Sequence, residues 1–144
     1  MSKSGLNFCK TAQKGESMES AEQPLFAHWA VSTACLEESI SFYEKALCFR
    51  ESRRMAFRGG AEVHVFMVND ASPVEIELVF DSERADAPAN AGTDSHIAFR
   101  VADYPAVRQL HEEMGCIVSY DSPRPGLHFI ADPNGSWIEI LPAK

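Results

Sequence analysis

The sequence lacks an apolar run long enough to cross a bilayer, and it lacks the apolar stretch near the N-terminus that directs export. Residues 1–23 consist largely of Ser, Lys, Glu and Gln, with Leu6 and Phe8 as isolated apolar positions. We therefore expect neither membrane insertion nor export, and we predict a cytoplasmic protein.

The cysteine content argues against two further classes of protein. No two cysteines form a Cys-x-x-Cys pair, and their spacing indicates neither a structural zinc site nor a compact disulfide framework. The four are Cys9, Cys35, Cys48 and Cys116. We expect them to be reduced thiols.

Basic residues are few and scattered. The chain has 13 Lys and Arg against 21 Asp and Glu, which gives a formal net charge of -8, and no basic cluster stands out. Binding to a phosphate backbone requires such a cluster, so we do not expect a nucleic-acid partner.

The length and composition predict one domain. With 144 residues, of which 45% are hydrophobic, the chain can bury a core of ordinary size. We predict a flexible N-terminal tail over residues 1–23 and a single domain over 24–144. Two stretches of similar plan, about 24–81 and 93–142, are joined by SERADAPANAG, whose composition is typical of a linker.

Each stretch opens with a strand that has one apolar face and one face that carries a histidine. His28 begins the polar face of the first strand, and His96 begins that of the second. The apolar residues are Ala27, Trp29 and Val31 in the first strand and Ile97, Phe99 and Val101 in the second.

A helix pattern follows each of these strands. Asp103 is the expected N-cap of the second helix, Pro105 suits its first turn and Gly115 is its expected stop, while His111 is expected on its surface. The apolar stripes are Leu36, Ile40, Tyr43 and Leu47 in the first helix and Val107, Leu110 and Met114 in the second.

Each stretch closes with strands that place carboxylates opposite aliphatic residues. Glu75 and Glu77 alternate with Ile76 and Leu78 in the first stretch, and in the second Glu139 lies between Ile138 and Ile140. A tight turn is predicted at residues 132–135. The pattern predicts an α+β fold of two tandem βαβββ modules, each a half-barrel sheet.

Four residues of metal-ligand type occupy equivalent positions in the two modules: His28, Glu77, His96 and Glu139. If the two sheets curl toward each other, these side chains converge on a cavity where two imidazoles and two carboxylates hold one divalent cation and leave positions for water. The arrangement predicts a catalytic metal site, within one chain or between the two chains of a homodimer. Glu75 is the alternative to Glu77.

Two further histidines, His64 and His128, lie in the predicted middle strands. We expect them to pack internally or to meet solvent, and the alternative is that they line the cavity.

Several segments together resemble the glyoxalase I (lactoylglutathione lyase) family of the vicinal-oxygen-chelate superfamily. They cover nearly all of the chain after residue 24. The segments are FAHWAV, LEESISFYEKALCF, VEIELVF, SHIAFRV and ADPNGSWIEIL.

The resemblance implies a metal-dependent lyase. In the family a His, Glu, His, Glu set binds nickel or zinc, and its positions here are His28, Glu77, His96 and Glu139. The implied substrate is the hemithioacetal of methylglyoxal and a thiol, which is isomerised through an enediolate to a 2-hydroxyacyl thioester. Glu139 is implied as the base, and Glu77 as a second carboxylate that shares the proton transfer.

The chain departs from the family where the family contacts the thiol. Ser32 stands where an arginine is common, and Asp81 stands where an asparagine is common. Arg100 and Arg124 are the candidate substrate-binding residues, with an internal salt bridge and an exposed surface position as the respective alternatives. These departures leave the identity of the thiol open.

Two alternative functions follow from the same resemblance. One is a metal-dependent acyl-CoA epimerase. The second metal ligand of the epimerases is usually Gln, so Glu77 at this position favours a glyoxalase. The other is a metal-free small-molecule binding or resistance protein of the same fold. Ring-cleaving dioxygenases and fosfomycin-modifying transferases use three ligands rather than four, so we rank them lower.

Overall fold

A computed structural model describes residues 26–83, 96–118 and 126–144 of the chain. The predicted tail, most of the predicted linker and Arg124 lie outside these residues. No helix within the described ranges is long and apolar enough to span a membrane.

The predicted pair of βαβββ modules is confirmed. The first module contains β1 (His28–Thr33), α1 (Leu36–Leu47), β2 (Arg50–Phe57), β3 (Glu62–Asn69) and β4 (Ser72–Asp81), with a short 3-10 turn at Arg58–Gly60 between β2 and β3. The second contains β5 (Ile97–Val101), α2 (Tyr104–Glu113), β6 (Ile117–Val118), β7 (His128–Ala131) and β8 (Trp137–Pro142).

The two sheets have the same topology. Their strand orders are β1-β4-β3-β2 and β5-β8-β7-β6. In each sheet the first and last strands of the module pair in parallel, and the other pairs are antiparallel. This topology makes the histidine strand and the carboxylate strand direct neighbours.

The predicted helices form for the expected local reasons. The Asp103 side chain accepts a hydrogen bond from the Ala106 backbone N–H at 3.1 Å, which caps the start of α2. In α1, Glu37 and Glu38 lie in the first turn, where the helix dipole favours negative charge.

The prediction that His111 lies on the surface is wrong. Its side chain is fully buried, whereas Leu110, which was assigned to the apolar stripe, is 37% exposed. The inward stripe of α2 runs instead through Tyr104, Val107, His111 and Met114, which recur at i, i+3, i+7 and i+10. Burial of an imidazole is acceptable here because both of its ring nitrogens are hydrogen-bonded.

One core joins the aliphatic faces of both sheets, with α1 packed into it. The fully buried strand residues include Ile76 and Leu78 from the first sheet and Ile130, Ile138 and Ile140 from the second. Each such side chain contributes about 1.5–3 kcal/mol of transfer free energy. The opposite faces of the two sheets, which carry the candidate ligands, are therefore turned away from the shared core.

A chain of buried hydrogen bonds crosses the second module. His111 Nε2 lies 2.8 Å from the Ala46 carbonyl, which can only accept, so this nitrogen carries the proton. His128 Nε2–H then donates to His111 Nδ1 over 2.9 Å, and the Tyr104 hydroxyl donates to His128 Nδ1 over 3.0 Å. This pattern needs both imidazoles neutral. Burial lowers the pKa of His128 to about 4, and repulsion by Arg108, and by His111 whenever that ring is protonated, adds to the shift.

This network predicts a loss of stability in acid. An unfolded histidine binds a proton near pH 6.5, whereas folded His128 does so only near pH 4. The free energy of unfolding should therefore fall as the pH is lowered from about 6.5 to 4, by up to about 3 kcal/mol from this residue. Urea unfolding of the wild type and of His128→Gln across this range measures the effect, since Gln retains a donor and an acceptor but does not titrate. Parallel pH profiles for the two proteins would contradict the assignment.

Candidate functional site

The first candidate half-site lies on the outward face of the first sheet. Parallel pairing places His28 beside Glu75 and Ala30 beside Glu77, so Glu77 is the diagonal neighbour of His28. His28 Nε2 lies 3.0 Å from Glu77 Oε2. The Glu77 side chain is 12% exposed and that of His28 is 42% exposed, so the pair is open to solvent on the histidine side.

A second imidazole holds the other oxygen of the same carboxylate. His64 Nδ1 lies 2.8 Å from Glu77 Oε1, and His64 Nε2 lies 2.7 Å from Glu62 Oε1. Although burial lowers the pKa of His64, the hydrogen bonds to Glu62 and Glu77 outweigh it and raise this pKa above its ordinary value. His64 thus lies at the candidate site, in agreement with the alternative that this histidine lines the cavity.

The neighbouring carboxylate, Glu75, is bound differently. Both of its oxygens accept hydrogen bonds from Arg53 at 2.7 Å, and the same guanidinium stacks on the Phe66 ring with 3.6 Å to the centroid. The hydrogen bonds from Arg53 hold the pKa of Glu75 below its usual range. The ion pair of His28 is therefore with Glu77, and that of Glu75 is with Arg53. No sequence pattern predicted that Arg53 lies on this face.

The second candidate half-site repeats the first one in the other module. His96 Nε2 lies 3.4 Å from Glu139 Oε2, with side-chain exposures of 29% and 16%. Ala98 pairs with Glu139 as Ala30 pairs with Glu77. In each half-site the histidine packs edge-on against a phenylalanine that pairs with the glutamate. These phenylalanines are Phe66, opposite Glu77, and Phe129, opposite Glu139.

The geometry of each pair suits two ligands of one cation. Nitrogen and oxygen ligands lie about 2.0–2.2 Å from zinc, so two adjacent ligand atoms are about 2.8–3.6 Å apart in octahedral or tetrahedral geometry. The measured separations are 3.0 Å for His28 and Glu77 and 3.4 Å for His96 and Glu139. Imidazole and carboxylate together suit a divalent transition metal.

The two pairs do not meet within one chain. In residues 26–83, 96–118 and 126–144 there is no group of three or more His, Cys, Asp or Glu side chains that would hold one metal ion. The shared aliphatic core explains this separation, because it turns the two outward faces away from each other. Each module therefore presents one His–Glu pair.

The remaining sequence positions that bear on substrate binding are Arg100, Asp81, Ser32 and Arg124, and all but Arg124 lie among the described residues. Arg100 Nη1 donates to the Pro142 carbonyl at 2.8 Å, so its partner is a backbone oxygen and not the carboxylate of a salt bridge. Asp81 is paired with Arg58 at 2.6 Å, and Ser32 is exposed. The place of Arg124 falls in the undescribed stretch 119–125.

Comparison with known proteins identifies relatives of the whole chain. Residues 27–131 match the family described as Glyoxalase/Bleomycin resistance protein/Dioxygenase superfamily. A lactoylglutathione lyase of Pseudomonas aeruginosa is 26% identical over an alignment 168 positions long, which spans 96% of this chain and 96% of that protein.

Solved structures share the fold. Trypanothione-dependent glyoxalase I of Leishmania major superimposes with a TM-score of 0.64 at 21% identity, over 83% of this chain and 87% of that chain. A fosfomycin resistance protein, FosX, of Listeria monocytogenes, complexed with Mn(II) and 1S,2S-dihydroxypropylphosphonic acid, gives a TM-score of 0.66 at 14% identity, over 81% and 90% of the two chains.

Proposed function

This chain belongs to the Glyoxalase/Bleomycin resistance protein/Dioxygenase superfamily, and we propose that it is a metal-dependent lyase of the glyoxalase I type. The observation that carries this proposal is the pair of matching His–Glu half-sites, with ligand atoms 3.0 and 3.4 Å apart. The similarity to a lactoylglutathione lyase, which extends over 96% of both chains, supports the same reaction class.

The proposed metal ligands are His28, Glu77, His96 and Glu139. A bound nickel or zinc ion would supply a Lewis acid for the two oxygens of a hemithioacetal. The chain itself provides two imidazoles, which bind as neutral nitrogen donors, and two carboxylates, one of which remains able to accept a proton.

Glu139 is the proposed base. Its carboxylate takes the proton from the carbon that bears sulfur and returns it to the neighbouring carbon, while the hydroxyl proton of the first carbon is transferred to the oxygen of the second. Together these transfers convert the hemithioacetal of methylglyoxal into a 2-hydroxyacyl thioester. The two carbons exchange oxidation level, so no external oxidant or reductant is consumed. Glu77 is the proposed second carboxylate of this proton transfer.

Recognition of the thiol is assigned to arginines. Arg100 lies on the same strand face as His96 and donates only to a backbone carbonyl among the described residues, so its remaining donors are available to an anionic group of the substrate. Arg124 is the second proposed contact. Because Ser32 and Asp81 depart from the family pattern, the thiol need not be glutathione.

The site is proposed to form between two chains. Each module presents two ligands on a face turned away from the shared core, and no described group of three ligands exists within one chain. A homodimer would bring His28 and Glu77 of one chain to His96 and Glu139 of the other and would contain two equivalent sites.

The first test combines metal analysis with the ultraviolet thioester assay, using methylglyoxal plus glutathione. We expect about one nickel or zinc ion per chain and metal-dependent thioester formation. Glu139→Gln should retain most of its metal and lose about 100- to 10,000-fold in kcat, because the general base is missing. Glu75→Gln, on β4 of the first sheet, is the matched control, and it should retain metal and activity.

Other outcomes of this test lead to different conclusions. Full activity of Glu139→Gln would refute the assignment of the base, and loss of metal from Glu75→Gln would make Glu75 the ligand. Bound metal without thioester formation would favour the acyl-CoA epimerase. Absence of metal together with tight binding of an aromatic ligand would favour the binding or resistance protein.

Complementation tests whether the site spans two chains. Neither a His28→Ala/Glu77→Gln chain nor a His96→Ala/Glu139→Gln chain should be active alone. After the two are unfolded and refolded together, about a quarter of the wild-type activity should return, because half of randomly paired dimers are mixed and each mixed dimer holds one intact site. No recovery in a mixture that forms dimers would place all four ligands in one chain.

A further inference from the structure

Glu77 and Glu139 occupy equivalent places in the two modules, but their surroundings differ. Each lies opposite a phenylalanine on one neighbouring strand and is paired with the histidine, His28 or His96, on its other side. Glu77 contacts two imidazoles, at 3.0 Å from His28 and 2.8 Å from His64. Within the described part of the chain Glu139 is paired with His96 alone, at 3.4 Å.

One sequence position accounts for this difference. His64 lies two residues before Phe66 and opposite Val79, so it is the diagonal neighbour of Glu77 on the same sheet face. The residue two positions before Phe129 in the second module is Leu127, which is half-buried and has no side-chain donor. The scaffold is repeated, but at this repeat position only the first module has a donor to the carboxylate.

We propose that His64 is a positioning residue that holds Glu77 in the orientation in which Oε2 faces the metal. This inference rests on the metal site of the proposed function. His64 occupies Oε1, so Oε2 is the oxygen left on the side of His28. The far nitrogen of His64 is bound by Glu62 at 2.7 Å, and Phe57 packs edge-on against the ring, so the imidazole itself is held in place.

The physical consequence is an unequal pair of carboxylates. A glutamate side chain loses rotamer freedom when it binds a metal, and His64 imposes that restriction on Glu77 before the metal arrives. Among the described residues no second donor contacts Glu139, so this carboxylate is freer to move between the metal and the substrate carbon. His64 thereby makes Glu77 the more firmly held ligand and leaves Glu139 as the principal base, with Glu77 in the secondary part of the proton transfer.

The test measures metal affinity of the full-length, metal-stripped protein, by competition for Ni²⁺ with a chromophoric chelator. His64→Leu copies the residue of the second module and should weaken Ni²⁺ binding by about 10- to 100-fold. His64→Asn retains a donor near the position of Nδ1 and should recover most of the affinity. Met55→Leu, at the partner of His64 on β2, is the matched control and should bind as the wild type does.

Thermal unfolding of each metal-free variant controls for damage to the fold. If His64→Leu does not fold, His64→Ser takes its place, because serine is small and does not reach Glu77. Wild-type affinity in the folded Leu or Ser variant would overturn the proposal. Equal losses in the Leu and Asn variants would also overturn it, since packing and not the hydrogen bond would then be responsible.

The failure of this inference is distinct from the failure of the proposed function. A wild-type protein that binds neither Ni²⁺ nor Zn²⁺ would overturn both. A wild-type protein that binds metal but forms no thioester would refute only the glyoxalase reaction, because the affinity measurement on the His64 variants does not depend on turnover.

Discussion

The parallel pairing of the first and last strands in each module is the constraint on which the candidate site depends. It makes β1 the neighbour of β4 and β5 the neighbour of β8, so a histidine at the start of β1 or just before β5 meets a glutamate in the middle of the neighbouring strand. Residues 49 and 43 positions apart in sequence are brought within hydrogen-bond distance by backbone pairing. The repeated topology produces the same pair twice.

Burial of the aliphatic faces determines where these pairs can act. Both sheets contribute to one core around α1, and burial of this apolar surface is the main driving force for the arrangement. Because successive strand residues point to opposite faces, a buried aliphatic row requires an outward row that carries the histidines and carboxylates. The same packing that stabilises the chain therefore separates its two half-sites.

Strand periodicity was sufficient to predict the fold and the faces of the four candidate ligands, but not the partners of the remaining polar residues. His64 and His128 look alike in sequence, yet they lie two residues and one residue before the phenylalanine opposite the glutamate, so they occupy opposite faces. Only strand register reveals this difference. The prediction that His111 lies on the surface failed because its burial depends on Ala46 and His128, which are distant in sequence.

A repeated scaffold does not by itself give a proton-transfer site, because two equally held carboxylates would bind metal well and move protons poorly. In the proposed reaction the base, Glu139, has to move while another carboxylate keeps the metal bound. Glu77 suits that second part, since it lies between His28 and His64 and is largely shielded from solvent. Among the described residues, the second module has the same geometry without the additional donor. Under the proposed function, a leucine in place of a histidine at one repeat position would thus make the two carboxylates unequal in otherwise equivalent modules.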